Sequence, residues 1–306
     1  MTRVAAIDCG TNSIRLLIAD LTDAGLRDVT RRMEIVRLGQ GVDRTGRFAD
    51  DALERTFAAL EDYAAAIDEA KVDRVRMVAT SATRDAANRD VFVDGVRSRL
   101  GVAPDVVTGE EEAALSFTGA TADLSGAEWP APYLVCDIGG GSTEFVLGDT
   151  AGVRGAASVD IGCVRMTERH LHDDPPTEAQ VEAATADIDA AVAQVGRLLD
   201  LRAARTLVGL AGSVTTVAAL ALELPGYDPD RIHHARIPAD DVHRVSATLL
   251  SATHEQRAAM PVMHPGRVDV IGAGALVLDR ILTQIGFDGV VASEHDILDG
   301  IALSLR

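Results

Sequence analysis

The 306-residue sequence predicts an α/β protein of two similar lobes. Three observations carry that prediction. Short apolar runs bounded by Gly and small polar residues alternate with amphipathic stretches, the pattern of strands alternating with helices. Residues 8–20 (DCGTNSIRLLIAD) can be laid on residues 137–149 (DIGGGSTEFVLGD) without a gap, an offset of 129 residues from Asp8 to Asp137. Both copies read D-x-G-x-x-S, then mostly strand-forming residues, then Asp, and the offset is about the size of one domain. Finally, residues 122–132 (ADLSGAEWPAP) hold Gly, two prolines and no clear period, as a connection should. The expected division is therefore 1–123 and 124–306, with the last helix, about 294–306, able to pack back on the first lobe. Two such lobes, each opening with a strand–turn–strand loop, would face each other across a cleft.

Taken in order, residues 3–9 and 14–20 read as strands around a polar, Gly-containing turn. Residues 51–69 carry Leu53, Phe57, Leu60, Ala64 and Ile67 at helical spacing. Residues 74–81 read as a buried strand ending in small polar residues. Residues 108–120 open a helix. Residues 132–149 are strand, Gly turn, strand. Residues 177–199 place Val181, Ala184, Ile188, Val192, Val195 and Leu199 on one helical stripe. Residues 206–222 read as strand, turn, helix, and 268–282 and 294–305 as helices.

Composition narrows the function. Apolar residues make up 47% and charged residues 25%, ordinary for a globular enzyme. The net charge of −18 repels nucleic acid and anionic membrane, so neither is an expected partner. An anionic ligand would need a local site of helix N-termini, arginines and a metal ion. With a single lysine, Lys71, that work falls to arginine. Cys9, Cys136 and Cys163 are scattered, as expected of reduced thiols. The N-terminus does not read as a signal peptide, and no apolar run is long enough for a membrane helix. A cytoplasmic location is the expectation.

The loops suggest phosphate chemistry. In 8–13, Gly10 allows a tight turn, Thr11, Asn12 and Ser13 offer short donors, and Arg15 follows as a bidentate phosphate ligand. In 137–144, Gly139, Gly140 and Gly141 let an anion sit against bare backbone. Asp137 and Glu144 flank that turn and suit Mg²⁺, with Mn²⁺ as an alternative. Asp8 is a weaker metal candidate. In 108–113, Thr108 and Glu111 form a capping-box pattern and Glu110 a first-turn dipole partner. Glu112 is left without a local role and is the better general base, with Glu111 second. Gly212 and Ser213, in GLAGSVTT (209–216), open an anion-ready helix start.

The segments DCGTNSIRLLI, ATSATRDAANRDVF, TGEEEA, DIGGGSTEFVLG, DIGCVRMTERHL, AGSVTTVAAL, HPGRVDVIGAGALVL and SEHDILDGIAL together resemble the exopolyphosphatase/guanosine pentaphosphatase family. The resemblance runs along nearly the whole chain, and its forms look similar to short actinobacterial exopolyphosphatases. It implies the actin-like fold of the sugar kinase and heat-shock ATPase superfamily, a βββαβαβα unit in each lobe. It implies release of terminal phosphate from polyphosphate or guanosine pentaphosphate, with a weakly catalytic alarmone-binding regulator as the alternative of another class. Asp137 and Glu144 would hold Mg²⁺, and Glu112 would activate or position water. Thr11, Asn12, Ser13, Gly140, Gly141, Ser142 and Thr143 would cradle terminal phosphates, with Arg15 and Arg267 binding further along the chain, and Arg84 matches an arginine of the family that lines the cleft. A homodimer stays open. Longer relatives append a helical domain of the HD type, which this chain is not expected to carry.

Overall fold

The computed structural model describes residues 2–23, 25–124 and 128–306, so part of the expected connection, residues 125–127, lies outside the described residues. The chain forms two compact units, Met1–Asp123 with Asp296–Arg306, and Leu124–His295.

In the first unit the order is β1 (Thr2–Cys9), β2 (Ser13–Thr22), β3 (Gly25–Ile35), α1 (Val42–Thr45), α2 (Asp50–Ala70), β4 (Arg74–Ala79), α3 (Ser81–Asp85), α4 (Arg89–Leu100), β5 (Asp105–Val106) and α5 (Gly109–Thr121). The sheet runs β3-β2-β1-β4-β5, antiparallel among the first three strands and parallel thereafter. Alternation along β1 sends Ala5, Ile7 and Cys9 into a core with α2 and α4, and Val4 and Ala6 into a second core on the other face.

In the second unit the order is β6 (Tyr133–Ile138), β7 (Thr143–Asp149), β8 (Gly152–Val159), α6 (Cys163–His170), α7 (Glu178–Leu198), β9 (Thr206–Leu210), α8 (Ala211–Ala221), α9 (Pro229–Ile232), β10 (Arg236–Pro238), α10 (Ala239–Ser251), α11 (His254–Ala258), α12 (Ile271–Ile285) and β11 (Gly289–Ala292). Read from β8, the sheet runs β8-β7-β6-β9-β11, the same order and senses as in the first unit, with β10 added antiparallel at the edge. This is the duplicated actin-like arrangement. The register confirms the repeat: each second strand bulges once against the third, at Ile18/Ala19 and at Leu147/Gly148, positions again 129 apart. One core gathers Leu134, Cys136 and Ile138 with the apolar faces of α7, α8, α10 and α12.

The closing helix α13 (Ile297–Leu303) packs in the first unit. It starts later than its apolar pattern suggests, because Asp296 caps it and forms a capping box with Asp299. Likewise α12 begins at Ile271 instead of 268, because a 3-10 turn, Pro265–Arg267, precedes it.

Candidate functional site

Each unit opens with the same hairpin turn. Gly10 N–H donates to the Ser13 carbonyl and Gly139 N–H to the Ser142 carbonyl, both at 3.0 Å. In the second unit the carbonyls of Gly139, Gly140 and Gly141 all turn toward the start of α6. They accept from Cys163 N–H (2.9 Å), from Val164 and Arg165 N–H (2.8 and 3.1 Å) and from Gly162 N–H (3.2 Å). Arg165 Nε adds a bond to the Gly141 carbonyl at 2.7 Å. A trans peptide holds its C=O and the following N–H in opposite senses. The N–H groups of Gly140, Gly141 and Ser142 therefore point away from α6, a concave set of donors of the kind that holds anions.

The first unit repeats the device. The Thr11 carbonyl accepts from Gly39 N–H (2.8 Å), and the Asn12 carbonyl from Val36 and Arg37 N–H (3.1 and 2.9 Å). The N–H groups of Asn12 and Ser13 are thus turned the other way. Thr11 Oγ1 meets Ser81 Oγ at 3.0 Å. Each loop is pressed against a glycine after its third strand. A Cβ on Gly162 would lie 2.3 Å from the Gly140 carbonyl carbon, and one on Gly39 would lie 2.2 Å from Thr11 Cγ2. The roles of Gly39, Gly162 and Arg165 were not read from the sequence, because they exist only once the loops are folded back.

The residues at the ends of the turn differ between units. Asp8 faces Arg15 across β1–β2, and Asp137 faces Glu144 across β6–β7. In the first unit the pair is a salt bridge: Arg15 Nη2 and Nε donate to Asp8 Oδ2 at 2.6 and 3.0 Å, and Nη1 donates to Asp296. Arg15, expected to bind phosphate, is thus committed to two carboxylates, and we take it out of the phosphate contacts. Asp8 Oδ1 is buried and has no hydrogen-bond partner. Burial pushes the Asp8 carboxyl up, against the pull of Arg15. In the second unit the cation is replaced by a carboxylate. Like charges directly opposite on one sheet face disfavour the pair, and two carboxylates are the donor set a hard divalent cation takes. Asp137 and Glu144 fit such an ion. Ser158 Oγ donates to Glu144 at 2.7 Å and fixes its orientation. Thr143 is committed elsewhere: its hydroxyl donates to the Ile161 carbonyl at 3.0 Å.

Glu112 stands in the first turn of α5, only 8% exposed. Arg84 of α3 binds it through Nη1 at 2.6 Å, and the same nitrogen reaches the Val107 carbonyl at 3.0 Å. Arg84 therefore orients Glu112. Thr108 caps α5 by accepting from Glu111 N–H at 3.2 Å. The reciprocal half of the expected capping box is replaced: the Glu111 carboxylate pairs with Arg76 of β4 at 3.0 Å.

Gly212 and Ser213 lie in the first turn of α8. The Arg267 guanidinium lies against Gly212, where a Cβ would sit 1.0 Å from Nη1. Ser213 packs against Gly274 of α12. The second unit thus brings together Gly212 and Arg267, and separately Asp137, the glycine turn and Glu144; the first brings together Arg84 and Glu112.

The chain matches the sequence model of the Ppx/GppA phosphatase family over residues 17–305. It is 52% identical to Exopolyphosphatase 2 of Mycobacterium tuberculosis, over 100% of this chain and 99% of that one. Among solved structures, an exopolyphosphatase-like protein superposes with a TM-score of 0.97 at 46% identity, covering 99% of this chain and 97% of the other. An Aquifex aeolicus protein described as a Ppx/GppA family member superposes with a TM-score of 0.83 at 33% identity, covering 99% and 97%.

Proposed function

The chain belongs to the Ppx/GppA phosphatase family, and we propose that it hydrolyses inorganic polyphosphate, releasing terminal orthophosphate by attack of water. One observation carries this reading: three successive glycine-loop carbonyls are turned onto α6, so the intervening N–H groups form an anion cradle beside two facing carboxylates. That combination suits a terminal phosphate better than a neutral ligand. The name of the mycobacterial relative points the same way.

The roles follow from the chemistry of each group. The N–H groups of Gly140, Gly141 and Ser142 hold phosphate oxygens; in the first unit those of Asn12 and Ser13 offer donors of the same kind. Asp137 and Glu144 would hold Mg²⁺, or Mn²⁺, which when bound neutralises charge on phosphate oxygens. Glu112, fixed by Arg84, orients the attacking water and accepts its proton. Phosphoryl transfer passes through a loose transition state, so positioning and charge carry most of the gain. Arg267, against Gly212 at the N-terminus of α8, offers positive charge for further phosphates of a chain. No described helix is long and apolar enough to cross a membrane.

The test is orthophosphate release from long-chain polyphosphate, short-chain polyphosphate and guanosine pentaphosphate side by side, with Mg²⁺ and with EDTA. We expect release from polyphosphate, lost in EDTA. Turnover of guanosine pentaphosphate alone overturns the substrate assignment, and full rate in EDTA overturns the metal.

A further inference from the structure

Arg257 of α11 is buried, 7% exposed, and lies outside every motif discussed so far. Its guanidinium binds four acceptors. Nε donates to the Val268 carbonyl at 3.0 Å, Nη1 to the carbonyls of Ala252 (2.7 Å) and Leu249 (3.3 Å), and Nη2 to Asp174 Oδ1 at 2.9 Å. Asp174 is itself held by His254 N–H, which reaches its two oxygens at 2.9 and 2.8 Å. Burying a charge for packing alone is unfavourable, since an apolar side chain of similar volume fills such a site as well. What the guanidinium adds is a rigid fork that fixes several backbone carbonyls at once.

One of those carbonyls belongs to the residue that follows Arg267. The other side of Arg267 is also fastened: in the 3-10 turn Pro265–Arg267, Gly266 N–H donates to His264 Nδ1 at 3.1 Å. Arg267 N–H donates to the His264 carbonyl at 2.9 Å, and Val270 N–H to the Arg267 carbonyl at 3.0 Å. The backbone of Arg267 is thus clamped before by His264 and after by Arg257. From that backbone position its long side chain reaches Gly212.

We propose that Arg257 is a positioning residue for polyphosphate binding: it holds the Val268 peptide, and so sets where Arg267 delivers its guanidinium at the start of α8. The inference rests on the reading of Arg267 as a phosphate contact. Lysine at 257 keeps the charge but has no planar fork and cannot hold these four acceptors together.

The experiment is a double-mutant cycle on the full chain with Arg257→Lys, Arg267→Ala and the pair, reading kcat and KM on polyphosphate and, by titration calorimetry, the binding of tripolyphosphate. Arg257→Lys is expected to raise KM and weaken tripolyphosphate about tenfold, the scale of a lost charge-assisted contact, with kcat within about twofold. In the Arg267→Ala background the same change is expected to do less than about twofold, because the two act as one unit. His264→Ala, on the exposed side of the turn, shifts KM in the same direction and keeps the test open should Arg257→Lys fold poorly. Equal effects of Arg257→Lys in both backgrounds, or a wild-type KM in Arg257→Lys and His264→Ala, overturn the proposal. Wild-type protein that binds tripolyphosphate with the expected coupling but releases no phosphate sinks the hydrolase reading and leaves the positioning role standing. Wild-type protein that does neither sinks both.

Discussion

Gly212→Ala separates stability from function at one atom. The added Cβ would lie 1.0 Å from Arg267 Nη1 and 1.6 Å from its Cζ. Ordinary contact between such atoms is about 3.5 Å, so the guanidinium must retreat by about 2.5 Å. The obstacle is the end of a flexible side chain, so the backbone need not move. Gly212 is the second residue of α8, where Ala is favoured over Gly by about 0.5–1 kcal/mol. The variant should therefore melt at the wild-type temperature or about 1–2 °C higher. Binding should suffer instead: a contact to a charged donor is worth about 1.5–3 kcal/mol, or roughly 10- to 100-fold in KM. The assay is steady-state phosphate release across polyphosphate concentrations, beside thermal unfolding. A raised melting temperature with unchanged KM would refute the role of Arg267. A melting temperature lowered by several degrees would show that the close packing on Gly212 supports the fold instead.

Glu112→Gln should cut turnover by at least about 10² while tripolyphosphate binds equally or more tightly, whereas Glu111→Gln loses only an exposed pair with Arg76, under about 1 kcal/mol; the reverse pattern in phosphate-release kinetics would exchange their roles. Gly162→Ala would drive a Cβ to 2.3 Å from the Gly140 carbonyl and 2.4 Å from Gly141 N. Backbone cannot yield as a side chain does, so phosphate release should vanish and thermal unfolding show a loss of about 1–3 kcal/mol; full activity would contradict the glycine-loop cradle. Burial opposes ionisation of Asp296, but the charge and hydrogen bond of Arg15, the Leu298 N–H and Arg31 outweigh it, and its carboxyl sits below the usual range. A lowered acid stabilises the fold above its unfolded value, about 3.9, and that contribution is lost as pH falls through the folded value. Amide exchange in α13, corrected for its intrinsic pH dependence, should then be flat from pH 7 to 5 and accelerate only below about 4; acceleration already between 7 and 5 would contradict this.

The duplication was legible because it is local: a strand, a turn and a strand in register, whose bulges recur at Ile18/Ala19 and Leu147/Gly148. So was the helix Glu178–Leu198, from its apolar stripe. The strand Gly25–Ile35 escaped notice because it is an edge strand carrying Arg27, Asp28, Arg31, Arg32 and Glu34, charges that protect an open edge but mask a strand pattern. The site divided along the same line. The glycine turn and the Asp137–Glu144 spacing are visible within a dozen residues. The use of Arg15 is not, because one of its two carboxylates, Asp296, lies 281 residues away. The Thr108 cap was readable, yet the Glu111 carboxylate turned to Arg76, a partner supplied by another strand. Gly39, Gly162 and Arg257 matter through approaches that only the folded chain makes.

The claim that water attacks the terminal phosphorus is tested most directly by running polyphosphate hydrolysis in ¹⁸O-enriched water and locating the label. Attack on the terminal phosphorus places one ¹⁸O in each released orthophosphate and none in the shortened polymer, and Glu112→Gln should slow this release without moving the label. Label at the new end of the polymer, with unlabelled orthophosphate leaving, would place the attack on the penultimate phosphorus and contradict the account.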